Sequence, residues 1–312
     1  MKNIQKSNVI VLYGALRSGT TMVRLMLNAH SQIVCPGERD FLVGHLVRQD
    51  GALMLDSQSL TDNRIFRATG LQVPENLQAK DAFWDMVQQH DFADKTLVLI
   101  LHRHMEELLE IFPDARIVHL VRDPRDVARS SIGMGWAGNT YFGVDHWLGT
   151  EREWDNHAHK LSQDQTCLVR FEELLADPEG ELGRICDFAN LSFDAQMLNY
   201  DETSTYSKVD PSLAYQWKRK QTEQEIGELE SKVGPLLMAR GYELSGHAMT
   251  APAGLRLLKL KVNNKRSKIA ERVRRFGVKD TLLSTFATRL GLTGLRRSVH
   301  RRMDEKMKAY LK

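Results

Sequence analysis

The feature that most constrains this chain is a glycine-containing loop between an apolar run and a helix-like segment near its N-terminus. Residues 8–12 predict a buried strand in an apolar run that ends at Gly14, a loop continues to Gly19, and residues 20–29 have the pattern of a helix. Strand, glycine loop and helix in this order place backbone N–H groups and a helix N-terminus around an anion. The sequence therefore predicts a phosphate-binding loop at residues 14–21.

The glycine spacing matches the GxxxxGK[ST] motif, but Thr20 occupies the position of the lysine. That lysine reaches the terminal phosphates of a nucleoside triphosphate, whereas the cation of this loop lies earlier, at Arg17. Ser18, Gly19, Thr20 and Thr21 add hydroxyl and N–H donors beside it. We therefore expect a phosphorylated donor other than ATP. The alternative is a tight glycine turn that carries a solvated arginine.

Short apolar runs alternate with helical patterns over the first 244 residues. Residues 116–121 and 166–170 predict two further strands, and Asp123 followed by Pro124 predicts a helix start after the first of them. This alternation predicts an α/β protein with a P-loop-like three-layer fold, in which helices flank a central parallel sheet. Residues 40–94 are predicted to form mostly helical segments that lie over that sheet.

The charge of the chain is unevenly distributed. Residues 255–312 carry a net charge of +14, whereas the remainder carries −11. Residues 245–254 have the composition of a linker and are predicted to separate a domain at 1–244 from a basic helical extension at 255–312. In that extension Leu295, Val299, Met303, Met307 and Leu311 recur every fourth residue, which indicates one helical face.

The basic extension suggests contact with an anionic membrane surface or a polyanion. Its few aromatic residues disfavour nucleic acid, because base stacking needs them. The alternative is a solvated helical pair packed on the core. Three widely spaced cysteines, Cys35, Cys167 and Cys186, predict a reducing, cytoplasmic location, peripheral to the membrane if the tail binds it.

Arg122 and Ser130 form a second candidate anion site. Arg122 directly follows a predicted strand, at the sheet edge where α/β proteins bind ligands, and Ser130 lies eight residues later in the next helix. An arginine and a hydroxyl in these positions can hold a second phosphate. The alternative is that Arg122 pairs with Asp123 or Asp126 while Ser130 lies on a helix surface.

Together these segments resemble the donor-binding signature of sulfotransferases that use 3′-phosphoadenosine 5′-phosphosulfate (PAPS). Arg17 and the four residues after it resemble the family's 5′-phosphosulfate loop, and residues 121–127 with Ser130 resemble its 3′-phosphate site. The resemblance covers about residues 8–244. It implies transfer of a sulfuryl group from PAPS to a hydroxyl or amine by in-line displacement, with release of adenosine 3′,5′-bisphosphate and no metal requirement.

The chain is also similar to the tyrosylprotein branch of these enzymes. In this branch a second arginine, an Ala-His pair and a glutamate follow the loop arginine at set distances. Arg24, Ala29, His30 and Glu38 lie at the same distances in this chain, without a gap. The resemblance implies that Glu38 is the catalytic base. A carboxylate just past the first helix can return to the sheet edge and take a proton from an acceptor hydroxyl. The alternative is an exposed loop acid.

Three further positions are candidates by the same resemblance. Lys95 lies in an Asp-Lys-Thr segment, where it would stabilise charge on the leaving oxygen, although Leu97 replaces the usual proline. Lys208 and Trp217 belong to a segment that resembles the one closing over the nucleotide, but Gln216 stands where the tyrosyl branch has a lysine. The alternatives are that Lys95 is a surface lysine and that the segment with Lys208 and Trp217 is a loop and helix start with a buried tryptophan.

The histidines are weaker candidates. His102, His104 and His146 are alternative bases, because a histidine often serves as the base in the wider superfamily, and His119 is expected to pack within a strand. Their spacing does not predict a metal site.

Two rival functions remain open on the sequence. One is a P-loop nucleotide or small-molecule kinase, which would need a lysine at position 20. The other is a non-catalytic module that binds an anion or a membrane through the basic tail. The acceptor is not encoded in any readable motif, and carbohydrates, lipids, small metabolites and protein tyrosines all stay open.

Overall fold

The computed structural model describes residues 6–204 and 206–310, and a five-stranded parallel sheet lies at its centre. The strands, in chain order, are β1 (Val9–Gly14), β2 (Ile33–Val34), β3 (Leu46–Gln49), β4 (Ala52–Leu55), β5 (Thr96–Leu101), β6 (Arg116–Val121) and β7 (Thr166–Arg170). The sheet has the order β2-β5-β1-β6-β7, and β3 pairs with β4 in a separate antiparallel hairpin.

Helices cover both faces of this sheet. They are α1 (Thr20–Ala29), α2 (Ser57–Asp62), α3 (Arg64–Thr69), α4 (Ala79–Gln88), α5 (Met105–Ile111), α6 (Pro124–Gly133), α7 (Thr140–Gly143), α8 (Asp145–His157), α9 (Phe171–Ala176), α10 (Pro178–Phe188), α11 (Trp217–Lys220), α12 (Glu223–Ala239), α13 (Gly254–Arg289) and α14 (Thr293–Tyr310). The predicted α/β fold with flanking helices and a helical C-terminal extension is confirmed.

Strand β1 shows why the protein has three layers. Its side chains alternate between two apolar clusters, because successive residues of a strand point to opposite faces. Val9, Val11 and Tyr13 pack on the side of α4 and α5, whereas Ile10 and Leu12 pack on the side of α1 and α10. Each is at most 1% exposed, so the strand is buried on both faces, as central parallel strands are.

The carboxyl ends of the parallel strands form one common edge. Gly14 at the end of β1 pairs with Leu120 of β6, and Tyr13 pairs with Leu101 of β5. A side chain at Gly14 would lie 2.4 Å from the carbonyl oxygen of Leu120, so only glycine fits where the chain leaves the sheet. The residues that directly follow β1, β5, β6 and β7 therefore emerge side by side.

The structure differs from the sequence predictions mainly in residues 40–94. This segment contains α2, α3 and α4, as expected, but also the β3–β4 hairpin, which was not predicted. Strands β2 and β5 were not predicted either. Among the described residues, no helix is long and apolar enough to cross a bilayer.

The C-terminal extension packs against the body of the protein. Helix α13 bends at Gly277, where φ is 82°, and α14 returns along it. On the predicted face of α14, Val299 and Met303 are buried and Leu295 is exposed, while Leu311 lies outside the described residues. The domain division at residues 245–254 stays a prediction.

Candidate active site

The loop after β1 borders a cavity of about 440 Å³ at the carboxyl edge of the sheet. Its wall includes Arg17, Gly19, Thr20, Thr21, Glu38, Arg122, Trp136, Phe171, Lys208 and Leu213. Arg17 adopts a left-handed backbone with φ of 74°, a conformation that non-glycine residues hold mostly where the surroundings or the function require it. This volume lies within the range of roughly 300–1,000 Å³ that small-ligand sites span.

Gly19 places the loop against the aromatic ring of Phe171. Its φ is 98°, and a Cβ at this position would lie 2.3 Å from two ring carbons of Phe171. Glycine is therefore required twice, by the left-handed backbone and by the close approach of the ring. The ring in turn supports the loop from the side of β7.

The N-terminus of α1 opens into this cavity without a cap of its own. Within the described residues, no side chain accepts a hydrogen bond at this terminus, and the first turn contains no acidic residue. The hydroxyl oxygen of Ser18 is buried and has no hydrogen-bond partner in residues 6–204 and 206–310. Unpaired N–H groups, a helix dipole and an orphaned hydroxyl together suit a bound anion.

Arg122 lies beside this loop and closes the other side of the same cavity. One terminal nitrogen donates to the carbonyl oxygen of Arg17 at 3.2 Å, and the other donates to the carbonyl oxygen of Leu213 at 3.1 Å. Its guanidinium carbon lies 4.5 Å from the centroid of the Phe171 ring. The two predicted anion sites are therefore adjacent, at a separation that one ligand can span.

Ser130 of α6 contacts the loop arginine. Its hydroxyl oxygen accepts a hydrogen bond of 2.9 Å from Nε of Arg17. The guanidinium carbon of Arg17 also lies 5.9 Å from the centroid of the Trp136 ring. Burial lowers the pKa of Arg17, but arginine remains charged across the physiological range. Ser130 thus links the first predicted site to the helix that begins after Arg122.

Glu38 lines the cavity and faces His102, the first residue after β5. Its Oε1 lies 3.6 Å from Nε2 of His102, and backbone pairing beside Ile100 brings residue 38 to the sheet edge. Nδ1 of His102 lies 2.6 Å from the carbonyl oxygen of Gly14, so this nitrogen carries the proton and donates it. Nε2 therefore faces the carboxylate.

This arrangement favours a charged pair. The His102 imidazole holds the pKa of Glu38 below its ordinary value, despite the opposing effect of burial. Burial disfavours the imidazolium, but the carboxylates of Glu38 and Asp40 outweigh burial and raise the pKa of His102. A carboxylate that stays ionised in a ligand cavity can act as a general base.

Trp217 lies behind the cavity rather than in its wall. Its indole N–H donates to Asp123 at 3.0 Å, its backbone N–H donates to Asp126 at 2.7 Å, and the Arg125 guanidinium stacks 3.7 Å from its ring centroid. These contacts fix the turn that begins at Arg122. The predicted nucleotide contact of Trp217 does not fit this position, because the ring is 95% buried among these groups.

Glu172 belongs to the same buried cluster. Its carboxylate accepts hydrogen bonds from the backbone N–H of Asp123 at 3.0 Å and from the hydroxyl of Tyr242 at 2.8 Å. Burial raises the pKa of Glu172 to about 7. The cluster therefore positions Arg122 at the cost of holding a carboxyl group away from water.

The other predicted residues divide between the two edges of the sheet. Lys208 lines the cavity together with Tyr206 and Ser207, as the resemblance implies. Lys95 precedes β5 and is exposed at the amino edge. A six-residue strand of roughly 20 Å separates it from the cavity edge, so the charge-stabilising role predicted for Lys95 does not fit.

Several residues of the wall were not predicted from the sequence, among them Trp136, Phe171 and Leu213. Phe171 could have been found, because it directly follows a predicted strand and all strand ends share one edge. Trp136 follows the end of α6 and Leu213 ends a three-residue 3-10 helix, and neither position carries a motif. In the described part of the chain, no cluster of three or more His, Cys, Asp or Glu side chains has a metal-binding arrangement.

A family profile described as "Sulfotransferase family" matches residues 9–195. An uncharacterised protein of Aquifex aeolicus is 27% identical over 207 residues, which is 62% of this chain and 27% of that protein. Protein-tyrosine sulfotransferase A of Caenorhabditis elegans is 26% identical over 264 residues, which is 76% of this chain and 68% of that protein. The chain thus spans only about a quarter of the first relative's length.

The fold has a counterpart among solved structures. The sulfotransferase domain from the curacin biosynthetic pathway superposes with a TM-score of 0.59 at 20% identity. The match covers 75% of this chain and 98% of that domain. This likeness concerns the arrangement of the sheet and its helices.

Proposed function

Because this chain belongs to the sulfotransferase family, we propose that it transfers a sulfuryl group from PAPS to a hydroxyl or amine acceptor. The observation that carries the proposal is that one cavity is bordered by both arginine sites, with Arg17 and the α1 N-terminus on one side and Arg122 on the other. A donor with a 5′-phosphosulfate and a 3′-phosphate has anionic groups for both sites. ATP has no 3′-phosphate for Arg122.

The residues present fit such a donor. The N–H groups of α1, the hydroxyls of Ser18, Thr20 and Thr21, and the Arg17 guanidinium would hold the 5′ end. Arg122 would hold the 3′-phosphate, with Lys208 closing the cavity. Ser130 supports this site by its bond to Arg17. PAPS supplies the sulfuryl group when it is bound.

Glu38 would then act as the general base. It takes the proton from the acceptor while the acceptor atom forms its bond to sulfur and the sulfur–oxygen bond to the phosphate breaks. Arg17 and the α1 N-terminus stabilise the charge that develops on the phosphate. We assign no part of this charge to Lys95, because it lies at the opposite edge of the sheet.

Calorimetry with adenosine 3′,5′-bisphosphate tests the donor site directly. Arg122→Ala should weaken binding by ~1.5–3 kcal/mol, the magnitude of a hydrogen bond to a charged group. Arg116→Ala removes an arginine from the opposite end of the same strand and should leave the affinity unchanged. Equal affinities of Arg122→Ala and the wild type would remove the 3′-phosphate site from the proposal.

Turnover with labelled PAPS and fractionated acceptors tests the reaction. Glu38→Gln should bind the bisphosphate as the wild type does and lose transfer. Retained transfer would place the base elsewhere. An ATP affinity that matches the affinity for the bisphosphate would favour the kinase alternative.

No single contact among the described residues identifies the class of acceptor. The C. elegans relative is named for protein tyrosine, and we keep protein tyrosine, carbohydrate, lipid and small metabolite as acceptor classes for this chain. We also propose a reducing, cytoplasmic location, which the three buried free thiols of Cys35, Cys167 and Cys186 support.

A further inference from the structure

The first part of α13 carries an exposed apolar stripe on the side that faces away from the protein. Leu255, Leu258, Val262 and Ile269 are 78%, 55%, 47% and 48% exposed. Their spacings of three, four and seven residues place them on one helical face. A stripe of this length is unusual on a surface that faces only water.

The opposite side of the same helix is bonded to the body. The side-chain oxygen of Asn264 accepts a 2.8 Å hydrogen bond from the backbone N–H of Gly138, and the Asn139 amide donates to the carbonyl oxygen of Leu260 at 2.9 Å. Arg275 donates to the carbonyl oxygen of Met134 at 2.7 Å. These contacts fix the rotation of α13, so the apolar stripe must point outward.

Basic side chains border the stripe on both sides. Residues 254–276 contain nine basic residues and one acidic residue. On a helical projection, Lys259 and Arg266 flank one side of the stripe, and Lys261, Lys265 and Lys268 flank the other, all of them exposed. An apolar stripe between two basic borders, on a helix of about 34 Å, matches a helix that lies in the plane of a membrane interface.

We propose that this face of α13 docks on an anionic lipid bilayer, with Leu255, Leu258, Val262 and Ile269 inserted among the acyl chains and the flanking lysines and arginine at the headgroups. A soluble polyanion would satisfy the charges but leave the apolar stripe in water. A second copy of this chain would bring identical basic borders together in a two-fold interface. Of these three, the bilayer is the occupant that offers negative charge and an apolar phase at once.

Sedimentation of the full-length protein with sucrose-loaded vesicles tests this proposal, and its readout does not depend on the reaction. The wild type should pellet with phosphatidylcholine vesicles that contain roughly a quarter phosphatidylglycerol, and not with pure phosphatidylcholine. Leu258→Ser/Val262→Ser should lower the partition coefficient at least about tenfold. Lys259→Gln/Arg266→Gln should lower it about fivefold per charge and weaken its dependence on salt.

Matched variants separate this surface from general effects. Met238→Ser changes an exposed apolar residue of α12, and Lys80→Gln/Lys160→Gln removes two exposed charges elsewhere; neither should change the partition coefficient. The altered side chains are exposed, so unfolding transitions should match the wild type. Binding that depends on the charges but not on Leu258 and Val262 would overturn the proposal of a bilayer and favour a polyanion. A wild-type dimer that becomes a monomer in the Leu258→Ser/Val262→Ser variant would overturn the proposal and favour a second copy of this chain.

Discussion

Nε of Arg17 donates a 2.9 Å hydrogen bond to the hydroxyl oxygen of Ser130 and thereby joins the phosphate loop to α6. The carbonyl oxygen of the same arginine accepts a hydrogen bond from Arg122. Arg17 therefore contacts both residues of the second predicted site, through its side chain and its backbone. The two predicted anion sites therefore form one hydrogen-bonded unit.

The first prediction follows from this contact. Ser130→Ala should raise the dissociation constant for adenosine 3′,5′-bisphosphate about tenfold or more, because a hydrogen bond to a charged group contributes roughly 1.5–3 kcal/mol. Calorimetry against 5′-AMP in parallel should show a similar loss of affinity, because Ser130 acts through Arg17 and both ligands carry the 5′-phosphate that Arg17 would hold. Ser231→Ala removes a hydroxyl that donates to the Glu228 carbonyl oxygen within its own helix, and it should leave both affinities unchanged.

The second prediction concerns the pH dependence of transfer. His102 lowers the pKa of Glu38, so the carboxylate persists to lower pH and the acid limb of kcat/KM should lie below the ordinary glutamate range. His102→Asn keeps a donor for the Gly14 carbonyl but removes the imidazole that faces Glu38. Its acid limb should therefore move to higher pH. An unmoved limb in the pH–rate profile would show that another group titrates.

The third prediction concerns the glycine of the loop. Gly19→Ala should lower the free energy of unfolding in a urea titration, because the new methyl group meets the Phe171 ring as well as an unfavourable φ. Gly70→Ala has a similar φ of 77° but open space around it, and should cost only the backbone strain of about 1 kcal/mol. Gly19→Ala should therefore lose about 1–3 kcal/mol more of the free energy of unfolding than Gly70→Ala does. Equal losses of unfolding free energy in the two variants would mean that the Phe171 ring moves aside to make room for the new methyl group.

The fourth prediction concerns stability and pH. The pKa of Glu172 is about 7 in the folded protein and 4.5 as an ordinary side chain, so between these values the folded state binds more protons than the unfolded state. Stability should therefore fall as pH rises from about 4.5 to 7, by on the order of 3 kcal/mol from this group. Glu172→Gln mimics the protonated form and should flatten that fall in urea titrations across this window. The same slope in both proteins would contradict the assignment.

The local signals in the sequence predicted those parts of the fold that depend on neighbouring residues. Helix α1 begins at Thr20 and ends at Ala29 as predicted, and α6 begins at Pro124 after the Asp123 cap. Strand β5 was missed although it is buried throughout, because a short apolar run does not by itself distinguish a strand from a helix. The β3–β4 hairpin was missed because its strands are only four residues long and β3 is largely exposed.

The site was predictable where a residue follows a strand and carries a charge. Arg17 and Arg122 reach the carboxyl edge, as their positions after the predicted strands β1 and β6 require. Glu38 also lines the cavity, but it follows β2, which was not predicted, and only the family resemblance singled it out. Lys95 failed this criterion because it precedes its strand rather than following it. Trp136 could not be found, because its place in the wall depends on how the segment after α6 turns.

Trp136 also shows what the long C-terminal helix does for the cavity. The segment around this residue is tied to α13 through Met134, Gly138 and Asn139, and its ring faces Arg17. A fragment trimmed to residues 9–195, which the family profile matches, would lose these contacts together with Lys208 and Leu213. The cavity and the contacts that support it therefore extend beyond the region that the family profile matches, because α13 holds the segment that carries Trp136.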